Sequence, residues 1–235
     1  MTKLKPYCTD ENWHGRTDCN ECAIRSTVLF SVLTKEQLEG ALLEIDNKLC
    51  EPGSELFGQE TREDYVYTVR SGCVKMVHRL GDGSCRIVRL HWGSDAIGLE
   101  AALGEPYRHS AVVLQKADVC RIPVSTIRTL EARNPELYRQ LMKRWQASLD
   151  EAESFITDLN TGAAETRLAR LLLKLDNHGG GKCIPDLLRE DIASIIGVTT
   201  ETASRLMAEF RRRKLVYSEE SKLLRCDAEA LKKLV

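Results

Sequence analysis

The sequence predicts an α+β chain made of a small β barrel or roll, a long helix and a compact helical unit that closes with a hairpin. Three observations carry this. Short β-forming runs separated by turn glycines fill most of residues 28–123. A stretch of helical period without glycine follows, up to residue 160. Two short helical patterns split by Gly197 then precede a final alternating run. With 235 residues, 43% hydrophobic and 29% charged, the chain can fill one large domain or two smaller ones. No run approaches the roughly 18 apolar residues of a membrane span. The start, "MTKLKPYCTD", has no apolar core of a secretory signal. A cytoplasmic protein with no membrane partner is expected.

Residues 1–27 are polar and carry Cys8, Cys19 and Cys22, the last two within "DCNEC". The chain has 9 cysteines. An odd count in a reducing compartment argues against a disulfide framework, so clustered thiols read as metal ligands or redox groups. By itself the C-x-x-C pair fits a metal site, an exchange-active thiol pair or coincidence. A thiol-exchange enzyme would need a βαβ context that the residues after Cys22 do not supply. Neither a carboxylate pair, nor a Ser/His/Asp set, nor a phosphate-cradling glycine loop stands out, so no enzyme is expected. His78, His91 and His109 show no haem-ligand spacing and read as polar residues of the β unit.

Residues 28–134 form that β unit. Runs such as "DYVYTVRSGCVKMVHRL" and "CRIVRLHWGSDAIG" flank Gly81-Asp82-Gly83, a hairpin signal. Over 135–160, Met142, Trp145, Leu149, Ala152, Ile156 and Leu159 recur at spacings 3, 4, 3, 4, 3. Such a stripe packs on its own domain or forms a two-helix seam across a dimer axis. A long helix after a β domain has few other partners, which favours the seam. Residues 161–235 make the last unit: "AAETRLARLLLKL" as a helix, "HGGGK" as its stop, "LREDIASIIG" and "VTTETASRLMAEFRRRKL" as a helix pair, and "VYSEESKLLRC" as a hairpin.

Net charge is −1, so a nucleic-acid surface must come from local clustering. Positive charge gathers at Arg211-Arg212-Arg213-Lys214, with Arg205 just before. On a helical wheel, Ala203, Leu206, Met207 and Phe210 share one side, and Glu201, Ser204, Arg205, Ala208 and Arg212 the other. Arginine can bond guanine O6 and N7, glutamate can accept from cytosine N4, and serine suits base or phosphate. Thr199 is placed to cap the helix, with Thr200 opening it. Pattern alone fits a solvated charged face equally well.

The stretch "DIASIIGVTTETASRLMAEFRRRKLV" is very similar to the helix-turn-helix of the CRP/FNR family of bacterial transcription regulators. "TTETASR" resembles the FNR-type recognition helix, with its E-x-x-S-R pattern on Glu201, Ser204 and Arg205. "EPGSELFGQE", "YTVRSGCVKM" and "GSDAIGLEAALG" resemble successive segments of that family's β-roll. The resemblance implies four parts: a cysteine-bearing segment (1–27), a cyclic-nucleotide-binding-like jelly roll as sensor (28–134), a dimerisation helix (135–160) and a winged helix-turn-helix (161–235). It further implies a homodimer on a two-fold symmetric double-stranded operator with half-sites resembling TTGAT, and RNA polymerase as a partner. Thr199, Thr200, Glu201, Ser204 and Arg205 would meet the groove, and Arg212 and Arg213 the phosphates.

Three sensing chemistries remain open. Cyclic-nucleotide binders of the family pair Gly-Glu with Arg-Ser or Arg-Thr. Here Gly98-Leu99-Glu100 displaces the carboxylate by one residue and His109 separates Arg108 from Ser110. A one-residue slip in a strand turns a side chain to the other face, so no cyclic nucleotide is expected. The FNR-like branch implies an iron–sulfur cluster, of the 4Fe–4S type, sensing oxygen, nitric oxide or redox state. Cys19, Cys22 and Cys120 match its ligands; where a further cysteine belongs this chain has Val28, and Cys8 is the replacement. The alternatives are a Cys19/Cys22 thiol–disulfide switch or a small-molecule effector in the β-roll. Cys50, Cys73, Cys85, Cys183 and Cys226 read as packing residues. Oxygen-labile FNR proteins carry an acidic residue on the dimer helix; Ala152 occupies the seam here, which predicts a dimer even without cofactor.

Overall fold

In the computed structural model, residues 13, 15–16, 22, 24–38, 44–178, 183–219 and 223–235 are described. Cys8 and Cys19 lie outside the described residues. The chain divides into two compact units, one of residues 1–84 and 88–150, the other of residues 85–87 and 151–235.

The first unit is built on β1 (Gly15–Arg16), α1 (Lys35–Leu38), β2 (Asp46–Cys50), β3 (Glu55–Phe57), β4 (Tyr65–Arg79), β5 (Cys85–His91), β6 (Ala96–Ile97), β7 (Ser110–Pro123) and α2 (Val124–Arg133). Its sheet runs β1-β2-β7-β4-β5, with β3 also on β7 and β6 on β4. The two long strands, β4 and β7, pair antiparallel and form its spine. Over much of their length both faces are covered, with continuous buried runs at Val66–Val69 and Ser110–Val113, and Val66, Val69, Val74, Val113 and Val119 are essentially inaccessible.

The β4–β7 ladder slips register between Val69 and Val74, and Gly72 sits at the slip with φ +83°. A Cβ there would stand 2.1 Å from the Lys116 carbonyl oxygen. Both the left-handed backbone and the close approach demand glycine. Gly72→Ala is expected to lower stability by about 3 kcal/mol, measurable as a fall in the urea midpoint. Gly83 closes the predicted β4–β5 turn at φ +81°, where Leu80 N–H donates to the Ser84 carbonyl at 2.9 Å.

The helix α2 was not expected. It buries Val124, Thr126, Ile127 and Leu130 against the sheet and ends at Asn134, whose extended backbone (φ −144°) suits a residue before proline. Asn134 Oδ1 then accepts from Glu136 N–H at 3.0 Å, opening α3 (Glu136–Asn160), a 25-residue helix.

The second unit contains α4 (Ala164–His178), β8 (Ile184–Pro185), α5 (Arg189–Ile196), α6 (Thr200–Arg212), β9 (Val216–Glu219), β10 (Leu223–Cys226) and α7 (Ala228–Lys232). A small antiparallel sheet, β8-β10-β9, stands beside the helices. Gly197, at φ +66°, makes the turn between α5 and α6. Thr199 Oγ1 accepts from Thr202 N–H at 3.2 Å and caps α6. Leu168, Leu171, Ile195, Ile196, Ala203, Met207 and Phe210 form its fully buried centre. Among the described residues no helix is long and apolar enough to cross a membrane.

Candidate functional site

Cys120 stands on a cross-strand row near the centre of the first sheet. Gly15 pairs with Asn47, Asn47 with Cys120, and Cys120 with Thr68. The N-terminal segment is thereby stitched onto the row that holds Cys120. The stitch is reinforced by Trp13, which is 5% exposed and belongs to the core. Its ring lies 4.8 Å from the Arg121 guanidinium, which also lies over the Tyr65 ring at 4.5 Å. Arg121 also reaches Asp46 at 3.2 Å. A guanidinium stacked on two rings and paired with a carboxylate is a firm anchor. The sequence reading missed Trp13, although an aromatic residue inside a polar, cysteine-bearing segment was a usable signal.

Beyond the stitch, Cys22 and Cys120 line one cavity of about 30 Å³. Its walls are apolar (Ile24, Val28, Leu29, Phe30, Ile45 and Ile122), with Thr68 and Arg70 as the polar members. Arg70 is bound to Asp118 at 2.9 Å. Burial works against its charge, yet Asp118, Cys120 and Cys22, whose sulfur takes a hydrogen bond from it, hold its pKa above the ordinary guanidinium value. Val28 lines the cavity too, so the position without a cysteine faces the same space as Cys22.

The donor chemistry fits a thiolate-held cluster: two sulfurs, an apolar wall and a fixed positive charge opposite the negative charge of such a group. A space of this size suits a water and is far smaller than a cubane, so occupation requires the Cys22 turn to move outward. Among the described residues no group of three or more metal-ligating side chains converges; Cys22 and Cys120 are the described members of the expected set.

The other cysteines separate by burial. Cys50 and Cys73 are buried packing residues. Cys183 and Cys226 are half-buried, and burial, with Asp176 and Cys183 nearby, pushes the Cys226 thiol up to about 12. Cys85 corrects its packing assignment, being exposed at the start of β5.

Where the family's nucleotide-binding residues would stand, Ser110 Oγ accepts from Gln59 N–H at 3.0 Å. Glu100 lies in a 3-10 turn, Leu99–Leu103, rather than in a strand. His109 packs edge-on against His78 at 5.5 Å. Burial first, then Arg89, His78, Arg108 and His91, lower its pKa to about 4, so it is neutral at pH 7.

On α3 the outward stripe is Tyr138, Met142, Trp145, Leu149 and Ile156, between 42% and 60% exposed, with Ala152 half-buried. Leu159 corrects the expected seam: it is fully buried in its own chain, and the stripe ends at Ile156. Tyr138, missed in the sequence, extends the stripe at the other end, four residues before Met142. A contiguous apolar stripe of this length on one helix marks a protein interface. Beside Ala152, Glu151 is paired with Lys174 at 2.8 Å and Asp150 accepts from Gln146 at 2.6 Å, so the seam position itself carries no charge. The protein is expected to elute as a dimer in gel filtration without metal, and Ala152→Asp to shift it to monomer. A monomeric metal-free wild type would overturn this.

In the second unit Thr199, Thr200, Glu201, Ser204 and Arg205 are all exposed along one side of α6, opposite buried Ala203, Met207 and Phe210. Among the described residues Arg205 has no ion pair. The basic end is different: Arg212 pairs with Glu209, Arg213 with Glu165, and Arg211 with Asp186 at 2.9 Å.

A β-roll, a long helix with an outward apolar stripe and a capped helix-turn-helix with an exposed polar face define a two-domain DNA-binding transcription regulator. Residues 166–234 match the Crp-like helix-turn-helix domain family, and residues 48–134 match the cyclic nucleotide-binding domain family. The transcriptional activator protein Anr of Pseudomonas protegens is 28% identical over 214 residues, covering 88% of this chain and 87% of its own. The fumarate and nitrate reduction regulatory protein of Vibrio cholerae is 28% identical over 207 residues, covering 84% and 82%. The fold also matches FixK2 from Bradyrhizobium japonicum at TM-score 0.71 and 24% identity, over 81% of this chain and 96% of that one. The chain belongs to the CRP/FNR family of transcription regulators. Membership carries DNA binding and a dimeric assembly.

Proposed function

We propose that this regulator senses oxygen, nitric oxide or redox state through an iron–sulfur cluster of the 4Fe–4S type, held by Cys8, Cys19, Cys22 and Cys120. The observation that carries this reading is the shared cavity of Cys22 and Cys120, with Arg70 in its wall and hydrogen-bonded to Cys22. A relative named as a fumarate and nitrate reduction regulatory protein supports the same direction. When bound, the cluster would supply reactivity toward oxygen or nitric oxide. The chain's own residues do the rest: Trp13 and Arg121 fix the segment, the apolar wall limits water, and Arg70 supplies a counter-charge. Thr199, Thr200, Glu201, Ser204 and Arg205 read half-sites resembling TTGAT on a two-fold symmetric duplex, Arg212 and Arg213 face the phosphates, and RNA polymerase is the downstream partner.

The test is anaerobic purification followed by an absorption spectrum and iron and sulfide assays. About four irons and about four sulfides per chain are expected, with broad visible absorption. A colourless protein that takes up no iron on anaerobic reconstitution would sink this reading and leave the Cys19/Cys22 thiol switch or a small-molecule effector in the β-roll.

A further inference from the structure

We propose that Arg144 is the positioning residue that ties the cysteine site to the outward stripe of α3, so that displacement of the Cys22 turn reaches the helix face carrying Trp145. The proposal rests on the cluster reading only for what displaces the turn. The tie itself is in the side chains.

Cys22 opens a tight turn, its carbonyl accepting from Arg25 N–H at 3.0 Å. Ile24 O then takes the N–H groups of Thr27 at 2.9 Å and Val28 at 3.2 Å. A short 3-10 element, Arg25–Thr27, follows, joined to Cys22 by the Arg25 N–H bond. The Arg144 guanidinium donates to the Thr27 carbonyl through one nitrogen and to the Ser94 carbonyl at 3.4 Å through the other. Thr27 and Ser94 are joined by their hydroxyls at 2.7 Å. Ser94, in the left-handed region at φ +83°, is held by its N–H to Val69 O at 2.8 Å, one residue from Arg70 in the cavity wall. Arg144 therefore bridges two segments next to the cysteine cavity: the 3-10 element before Val28 and the Ser94 turn held to the strand beside Arg70.

The position of Arg144 on its helix gives the grip a consequence. Leu137, Leu141, Arg144 and Ser148 recur at spacings 4, 3, 4. Leu137 is fully buried, Leu141 packs on the core, and Ser148 accepts from Arg89. This inward row lies one residue, about 100°, from the outward row of Tyr138, Met142, Trp145 and Leu149. Apolar contacts alone let a helix roll at little cost, because they have no direction. A fork with two fixed acceptors resists roll, as hydrogen bonds weaken steeply off axis. Outward movement of the Cys22 turn pulls the Thr27 carbonyl and leaves Ser94 in place, so the strain falls on Arg144 and on the roll of the outward row.

The test uses the full chain as wild type, Arg144→Ala, Arg144→Lys and, as an exposed neighbour, Lys143→Ala. Hydrogen exchange by mass spectrometry is followed over 24–28 and 138–149, metal-free and after anaerobic iron loading. Arg144→Ala is expected to take up as much iron as wild type, yet to lose the loading-dependent change over 138–149, about tenfold in wild type. Arg144→Lys, which cannot span both acceptors, should retain only part of that change, and Lys143→Ala all of it. A wild-type-sized response in Arg144→Ala would overturn the proposal. If wild type takes up no iron, the cluster reading falls, and metal-free exchange at 24–28 decides the tie. An increase of about fivefold or more in Arg144→Ala supports it, and an unchanged rate overturns it.

Discussion

Cys120→Ala is expected to bind less than about a tenth of the wild-type iron after anaerobic reconstitution and to lose the visible absorption entirely. Cys120 is buried near the end of β7, on the row that also holds Asn47 and Gly15. Of the two described ligands, Cys22 and Cys120, it is the one that a strand of the central sheet fixes. The three N-terminal thiols share a polar segment with little periodicity, so without Cys120 nothing rigid brings a fourth sulfur to them. The fold should survive, because removing one sulfur from a packed site costs only about 1 kcal/mol. Cys50→Ala is the control: Cys50 is as well buried and lies on the neighbouring strand β2, but does not line the cavity. It should lose similar stability and keep full iron. Equal iron losses in both variants would mean that destabilisation, not ligation, is being measured. Full iron in Cys120→Ala would remove this residue from the ligand set. Cys8→Ala extends the same logic, since a normal cluster without Cys8 would show that another donor replaces the residue missing at Val28.

Much of this was legible in the sequence where periodicity or chemistry was local. The amphipathic face of α6, its threonine cap and the Gly197 turn follow from spacing alone, because a helix with a buried face must repeat near 3.6 residues. The stripe on α3 was legible by the same rule, but only as a stripe. Periodicity states that a row is apolar; it does not state what covers it. Leu159 and Ile156 are equivalent in such a count, yet Leu159 is fully buried within the chain while Ile156 is 60% exposed. The difference is tertiary: the last turn of α3 enters the second unit, whose core claims one side of the helix. Long-range placement was the other gap. Cys22 and Cys120 could be paired only by resemblance, and no local pattern foretells that Trp13 docks on Arg121 and Tyr67 or that Arg70 bonds Cys22. The exposed Cys85 shows the same limit in reverse. A small apolar residue at a strand end is assigned to the interior by type, and its actual setting depends on a turn whose neighbours are distant in sequence.

Arg205→Ala should weaken operator binding by about 1–3 kcal/mol, roughly 5- to 150-fold, and relax base preference at one position of each half-site. The side chain is exposed on α6, away from the buried Ala203, Met207 and Phe210, so helix and fold should be untouched. Among the described residues it has no carboxylate partner, so a base can take its guanidinium without breaking an ion pair. Arg212 and Arg213 differ on that point. Each is already paired, with Glu209 and Glu165, and a phosphate must compete with a carboxylate for it. Exposed pairs of this kind are weak, so the exchange remains accessible, but the gain per phosphate is reduced. Arg212→Ala or Arg213→Ala also leaves an uncompensated carboxylate facing a polyanion. Their effect should be alike for operator and random duplex, with a salt slope shallower by about one counterion per half-site. The two classes therefore separate in one titration series: Arg205→Ala changes the ratio of specific to random binding and leaves the slope nearly intact, whereas the other two change the slope and leave the ratio. Arg205→Lys sharpens the distinction, since it keeps the charge and loses the two-pronged geometry. If Arg205→Lys matched wild type in base preference, the contact would be electrostatic, and the reading face of α6 would have to be centred on Glu201 and Ser204 instead.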